Sequence, residues 1–97
     1  MIIVTGSVRA RPETLDEVIA LSLEHVRRSR SEPGCLLHSV HRDVEDPMRL
    51  VFLEHWADRE ALQRHFEVPA SLAFVTDVSE LAAEPPEMDI FDAAPLA

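Results

Sequence analysis

Apolar and polar positions alternate over the first residues, with Ile2, Val4 and Val8 on one parity and Ile3, Thr5 and Ser7 on the other. That two-residue period predicts a strand over Ile2 to Arg9, weakened in its middle by Gly6. Beyond Pro12 the period lengthens, and Leu15, Val18, Ile19, Ser22 and Val26 fall at helical spacing. Thr14-Leu-Asp-Glu17 has the form of a capping box, in which the Thr hydroxyl and the Glu carboxylate each satisfy a free backbone N–H. The helix is expected to stop near Ser31, because Pro33 cannot continue it and Gly34 permits the chain to reverse.

Two extended runs come next, Cys35 to Asp43 and Arg49 to Ala57, and the Asp46-Pro47 between them is a turn signal, so they read as a hairpin. In the second run Leu50 and Phe52 face one way and Val51 and Leu53 the other, which predicts a strand covered on both faces. Asp58 then caps a helix with Ala61, Leu62 and Phe66 inward. Pro69 interrupts it, and Leu72, Val75, Val78, Leu81 and Ala82 resume the helical period until Pro85 and Pro86. Met88 to Phe91 is a short last strand, and residues 92–97 form a loose tail or an arm towards another subunit. The order βαββαβ, with its second helix split, predicts one α+β domain over residues 1–97: a ferredoxin-like antiparallel sheet with helices on one face. The other apolar face then needs a second copy packed against it, and a homodimer is expected.

Composition narrows the function classes. With 46% hydrophobic and 28% charged residues the chain is globular, and it holds no apolar run near the roughly 20 residues of a membrane span. Met1 leads directly into Ile2 and Ile3 with no basic leader, so the expected location is the cytoplasm and no membrane partner is expected. A formal charge of −9, with nine Arg and no Lys, repels a phosphate backbone, which argues against nucleic acid as a partner. The one basic cluster, Arg27, Arg28 and Arg30, sits where a helix should end and complements its dipole. Cys35 is alone, so no intramolecular disulfide and no multi-cysteine zinc site can form, and it reads as a small buried hydrophobe.

Candidate chemistry gathers between residues 32 and 65. His65 lies three residues past Leu62 and four past Ala61, along the apolar stripe of its helix, so its imidazole should face the sheet. There it could act as a general base or a hydrogen-bond donor to a phenolic ligand, or serve as a structural histidine. Glu54 and Trp56 share a strand face with Leu50 and Phe52. A carboxylate on that covered face could orient His65 or a ligand hydroxyl, or pair with Arg42 on the neighbouring strand. Alternation along the strand puts His38 on the opposite face from Cys35 and His41, so these three cannot converge and no metal site is expected. With only Gly6 and Gly34 there is no glycine-rich phosphate loop, and nucleotide cofactors are not expected.

Together the Glu32-Pro33-Gly34-Cys35 turn, the Glu54-x-Trp56 strand end, the helix from Asp58 to His65 and the downstream Phe74 resemble the antibiotic biosynthesis monooxygenase family, which includes small quinol monooxygenases. The resemblance covers residues 2 to about 91. It implies a dimeric α/β barrel with a pocket between each sheet and its own helices, and oxygenation of a small aromatic substrate by O₂ with no cofactor. His65 would be the base or hydrogen-bonding group, Trp56 and Glu54 would shape and polarise the site, and Phe52 and Phe74 would bind substrate as apolar wall. Haem-degrading relatives carry an Asn, a Trp and a haem-ligating His where this chain has Gly6, His65 and Val75, so haem chemistry is not expected. The chain also has no Tyr, which removes any mechanism built on a tyrosine hydroxyl. Two alternatives stay open: an isomerase of a phosphorylated autoinducer-type sugar, and a non-catalytic dimer that binds an aromatic metabolite.

Overall fold

The computed structural model describes residues 1–97 as seven elements: β1 (Ile2–Arg9), α1 (Leu15–Ser29), β2 (Cys35–Arg42), β3 (Arg49–Trp56), α2 (Arg59–Glu67), α3 (Pro69–Leu81) and β4 (Glu87–Asp92). The strands form one sheet in the order β2-β3-β1-β4 with every neighbour antiparallel. This is the ferredoxin-like βαββαβ arrangement, with the second helix divided into α2 and α3 at Val68. Pro69 takes the first position of α3, where its missing N–H has no helical partner to lose.

Strand parity decides which side chains meet the helices. Ile2, Val4 and Val8 of β1 and Leu50, Phe52, Glu54 and Trp56 of β3 are buried on that side, while Val51, Leu53 and His55 face the other side half-buried. The helices leave this second face open. Leu37 and Phe91, which share it by register, are 37% and 51% exposed.

Two apolar cores lie beneath the helices. One joins Val8, Leu50 and Phe52 to Leu15, Val18, Val26 and Val78, and the other joins Ile2, Val4 and Trp56 to Ala61 and Leu62. Between them, opposite Val4 on one side and His38 on the other, stands Glu54. The seam between the cores is where polar side chains are buried.

Local chemistry differs from expectation at the start of α1. Thr14 forms no side-chain cap and Glu17 closes no box. Instead Thr14 Oγ1 accepts from the Arg11 N–H at 3.0 Å and donates to the carbonyl of Leu81 at 2.7 Å, tying the entry of α1 to the end of α3. Asp58 does cap α2, its Oδ1 accepting from the Ala61 N–H at 2.8 Å. Leu72 and Val75 share helical spacing with Val78, yet they are 57% and 53% exposed, and on this helix burial falls to Ser71 and Val78. At the chain's end Ala93 exchanges two backbone hydrogen bonds with Met1.

Candidate active site

A cavity of about 520 Å³ opens between α3 and the sheet. Phe52, Phe74, Val75 and Met88 form apolar wall, and four buried polar residues, His25, Glu54, His65 and Ser71, lie among its lining. Leu72, Val75 and Met88 are half-exposed, which puts them at its mouth and the polar groups at its floor. Phe52 and Phe74 meet edge to face at 6.0 Å between ring centres, and Phe74 stacks flat on His25 at 4.0 Å. The five residues anticipated from sequence thus gather in one place, with His65, Glu54, Phe52 and Phe74 on the cavity and Trp56 immediately behind it.

His65 points from α2 onto this floor and packs its ring 4.6 Å from that of Trp56. Its Nδ1 lies 2.8 Å from Glu32 Oε1. Carboxylates only accept, so Nδ1 carries a proton, and in the neutral ring the lone pair is then on Nε2. Nε2 faces the region of Glu54, whose Oε1 is 3.9 Å away. Glu32 comes from the turn after α1, and its position in the reversal at Gly34 sets this contact.

Glu54 accepts from Trp56 Nε1–H at 2.9 Å, and His38 Nε2 lies 3.3 Å from the same oxygen. Burial alone would raise the Glu54 carboxyl. The nearby His38 ring, the Trp56 N–H and the His65 ring outweigh it and hold the group below the ordinary carboxylate value. Glu54 is therefore an anion in the floor of an apolar cavity. Its partner is His38; Arg42 instead donates to the carbonyl of Pro47 at the hairpin end.

The strand-parity reading of His38 needs correction. A register shift between Cys35 and Leu37 inserts one residue, so Cys35 and His38 share the helix-covered face, opposite Trp56 and Glu54 respectively. His41 stays on the other face, where its ring bonds Ser39. Burial and the charges of Glu32 and Glu54 push the Cys35 thiol up, so it stays protonated.

His25 was not anticipated, although the signal was present: it follows Ser22 by three residues and Val18 by seven on the buried stripe of α1. Arg28 Nη2 donates to its Nδ1 at 2.8 Å, which fixes its proton on Nε2. Desolvation, followed by the electrostatic influence of the nearby His38, His65 and Arg28, lowers its pKa to about 3, so the ring is neutral at physiological pH. His25, His38 and His65 bring one ring nitrogen each within 4.8 Å of one another, a spacing that suggests a cation site. The hydrogen bonds indicate another use. Arg28 occupies one His25 nitrogen and a proton the other, so this ring has no lone pair left for a metal.

Comparison with known proteins agrees with this architecture. The family model described as antibiotic biosynthesis monooxygenase matches residues 1–77. The uncharacterised protein sll1783 of Synechocystis is 38% identical over 93 residues, which cover 96% of this chain and 63% of that protein. A crystal structure described as an antibiotic biosynthesis monooxygenase superposes with a TM-score of 0.90 at 32% identity, covering 98% of this chain and all of that one. Rv0793 from Mycobacterium tuberculosis, at 24% identity and a TM-score of 0.91, covers 99% of this chain and 97% of its own and shares the fold. By the match over most of its length, the chain belongs to the antibiotic biosynthesis monooxygenase family.

Proposed function

We propose that the chain is a cofactor-independent monooxygenase that oxidises a quinol or polyphenol with O₂, using His65 as general base. The observation that carries this reading is the Glu32–His65 hydrogen bond, which fixes a proton on Nδ1 and so makes Nε2 the nitrogen that accepts one when the ring is neutral, on a residue that lines an apolar cavity. A phenolic hydroxyl seated there gives its proton to Nε2. The imidazolium that forms lies between two carboxylates, Glu32 on Nδ1 and Glu54 near Nε2.

Once deprotonated, an electron-rich ring can reduce O₂ by itself. For a hydroquinone the balance is one hydroquinone and one O₂ giving one hydroxyquinone and one water. One oxygen atom enters a ring C–H bond, the other leaves as water, and the substrate supplies all four electrons. The protein contributes the base, the orientation given by Phe52, Phe74 and Trp56, and a dry setting. No metal and no organic cofactor enters this scheme.

The cavity lining gives less support to a sugar-phosphate isomerase. It contains no Arg, and its charged residues Glu54 and Glu87 would repel a phosphate. In the same reading the protein works as a cytoplasmic homodimer joined through the open sheet face; none of its helices is long and apolar enough to cross a membrane.

Oxygen uptake with a panel of hydroquinones tests the proposal. Wild-type protein should consume one O₂ per hydroxyquinone formed, and His65→Ala should lower the rate on the order of 10²–10⁴-fold. Absence of uptake across the panel, or equal uptake by His65→Ala, would sink it.

A further inference from the structure

Removing a proton from a phenol leaves an oxyanion, and the cavity floor already holds the Glu54 carboxylate. An anion can form there only if donors face it. Glu54 is an acceptor, and so is Nε2 of His65 when that residue acts as the base, so the donors must come from elsewhere on the floor.

Arg28 supplies the arrangement. Its Nη2 donates to His25 Nδ1 at 2.8 Å and to Ser71 Oγ at 3.2 Å. Both recipients are buried, and both line the cavity. Each accepts from Arg28 and is left with a proton to give, Nε2–H on His25 and O–H on Ser71. Neither proton has an acceptor in the protein, since these two residues make no other side-chain hydrogen bonds across the fold. Arg28 itself forms no ion pair, and its buried Nε has no partner. An uncompensated guanidinium therefore acts on the cavity through two polarised donors.

We propose that Arg28, His25 and Ser71 form an oxyanion-binding site on the cavity floor, which takes the phenolate oxygen of an aromatic ligand while the ring lies among Phe52, Phe74 and Val75. His25 and Ser71 are the contacting groups, and Arg28 is a positioning residue acting through them. A neutral imidazole suits the task, because it donates a hydrogen bond without drawing the proton away from His65. The floor then has two halves: acceptors from Glu54 and His65 that receive a hydroxyl proton, and donors from His25 and Ser71 that hold the oxygen left behind. This ligand class rests on the reading of the cavity as the substrate site.

The test is a titration of 4-nitrophenol bound to the full chain, read by the absorbance of its phenolate. In wild-type protein the bound phenol should ionise about one pH unit lower than in water, a roughly tenfold preference for the anion. Ser71→Ala, Arg28→Met and His25→Phe should each remove several-fold of that preference, and Arg28→Lys, which keeps the charge without the fork, should fall between. Ser71→Ala is the smallest change and decides the matter if the larger ones unfold the protein. His65→Gln should abolish oxygen uptake yet retain the anion preference. A bound phenol that ionises as in water, midpoints indifferent to Ser71, or failure of the phenol to bind would overturn the assignment. Preference for the phenolate that depends on Ser71, with no oxygen uptake from any hydroquinone, leaves the oxyanion site standing and removes the monooxygenase reading.

Discussion

One hydrogen bond decides which nitrogen of His65 can act as a base. With Glu32 Oε1 2.8 Å from Nδ1, the lone pair of the neutral ring is on Nε2, the nitrogen on the Glu54 side. Glu32→Gln keeps an oxygen that can accept from Nδ1–H but loses the charge that stabilises the imidazolium. It should lower kcat on the order of 10²-fold with little change in KM, the low end of what a positioned base contributes. A loss of melting temperature with kcat intact would make Glu32 a structural residue instead. His25 behaves oppositely, since the fold disfavours its charged form. Below pH 6.5 the unfolded chain binds a proton at this position that the folded protein refuses until about pH 3. Stability should therefore fall by about 1.4 kcal/mol per pH unit through that window as pH is lowered. The depressed Glu54 carboxyl adds to this only lower down: its contribution is full above the ordinary value of 4.5 and is lost as pH falls through its folded value. His25→Phe, which keeps the stack on Phe74, should flatten the profile of urea midpoint against pH between 6.5 and 4.5; an unchanged slope would mean that His25 titrates as it does in water.

The reversal between α1 and β2 depends on Gly34. Its φ is +82°, and a Cβ built there would lie 2.5 Å from the Ala61 Cβ of α2. Its carbonyl accepts from the Ala57 N–H at 2.8 Å, so the turn is fixed to the end of β3 as well. Gly34→Ala combines left-handed backbone with overpacking and should cost about 2–4 kcal/mol in denaturant unfolding, with reduced turnover because Glu32 moves with the turn. Full stability in that variant would show that the turn can open away from α2. Periodicity made every element legible in the sequence, including the division of the second helix at Pro69, because parity and helical spacing are local properties. Contacts that join elements distant in sequence were not legible in the same way. His65 and Glu32 are 33 residues apart, and nothing in either segment names the other as partner. The register shift after Cys35 put His38 on the same face as Cys35 rather than opposite it, and alternation alone gave no sign of its contact with Glu54 or its place beside His25. Thr14 likewise had the sequence of a cap, but the nearby end of α3 offered its hydroxyl a carbonyl instead.

At the scale of the whole molecule, the helices close one side of the sheet and leave the other with Ile3, Leu37, Val51, Leu53 and Phe91 on a single surface. None of these residues lines the cavity, so a partner could cover this surface without touching the proposed chemistry. A second copy is the expected partner of this apolar face, because twofold packing of two such sheets buries the same residues on both subunits. Sedimentation equilibrium at micromolar concentration should give twice the chain mass of 10.9 kDa. Leu53 lies in the middle of β3, the strand flanked on both sides within the sheet, and a carboxylate there would be buried without a counter-charge. Leu53→Glu should weaken association by at least about 30-fold, the effect of losing a hot-spot contact of about 2 kcal/mol. The monomer it releases should still bind 4-nitrophenol, since the floor groups all belong to one chain. A wild-type protein that sediments as a folded monomer would remove the sheet-to-sheet packing, and loss of phenol binding in a folded Leu53→Glu monomer would show that the cavity depends on the second subunit.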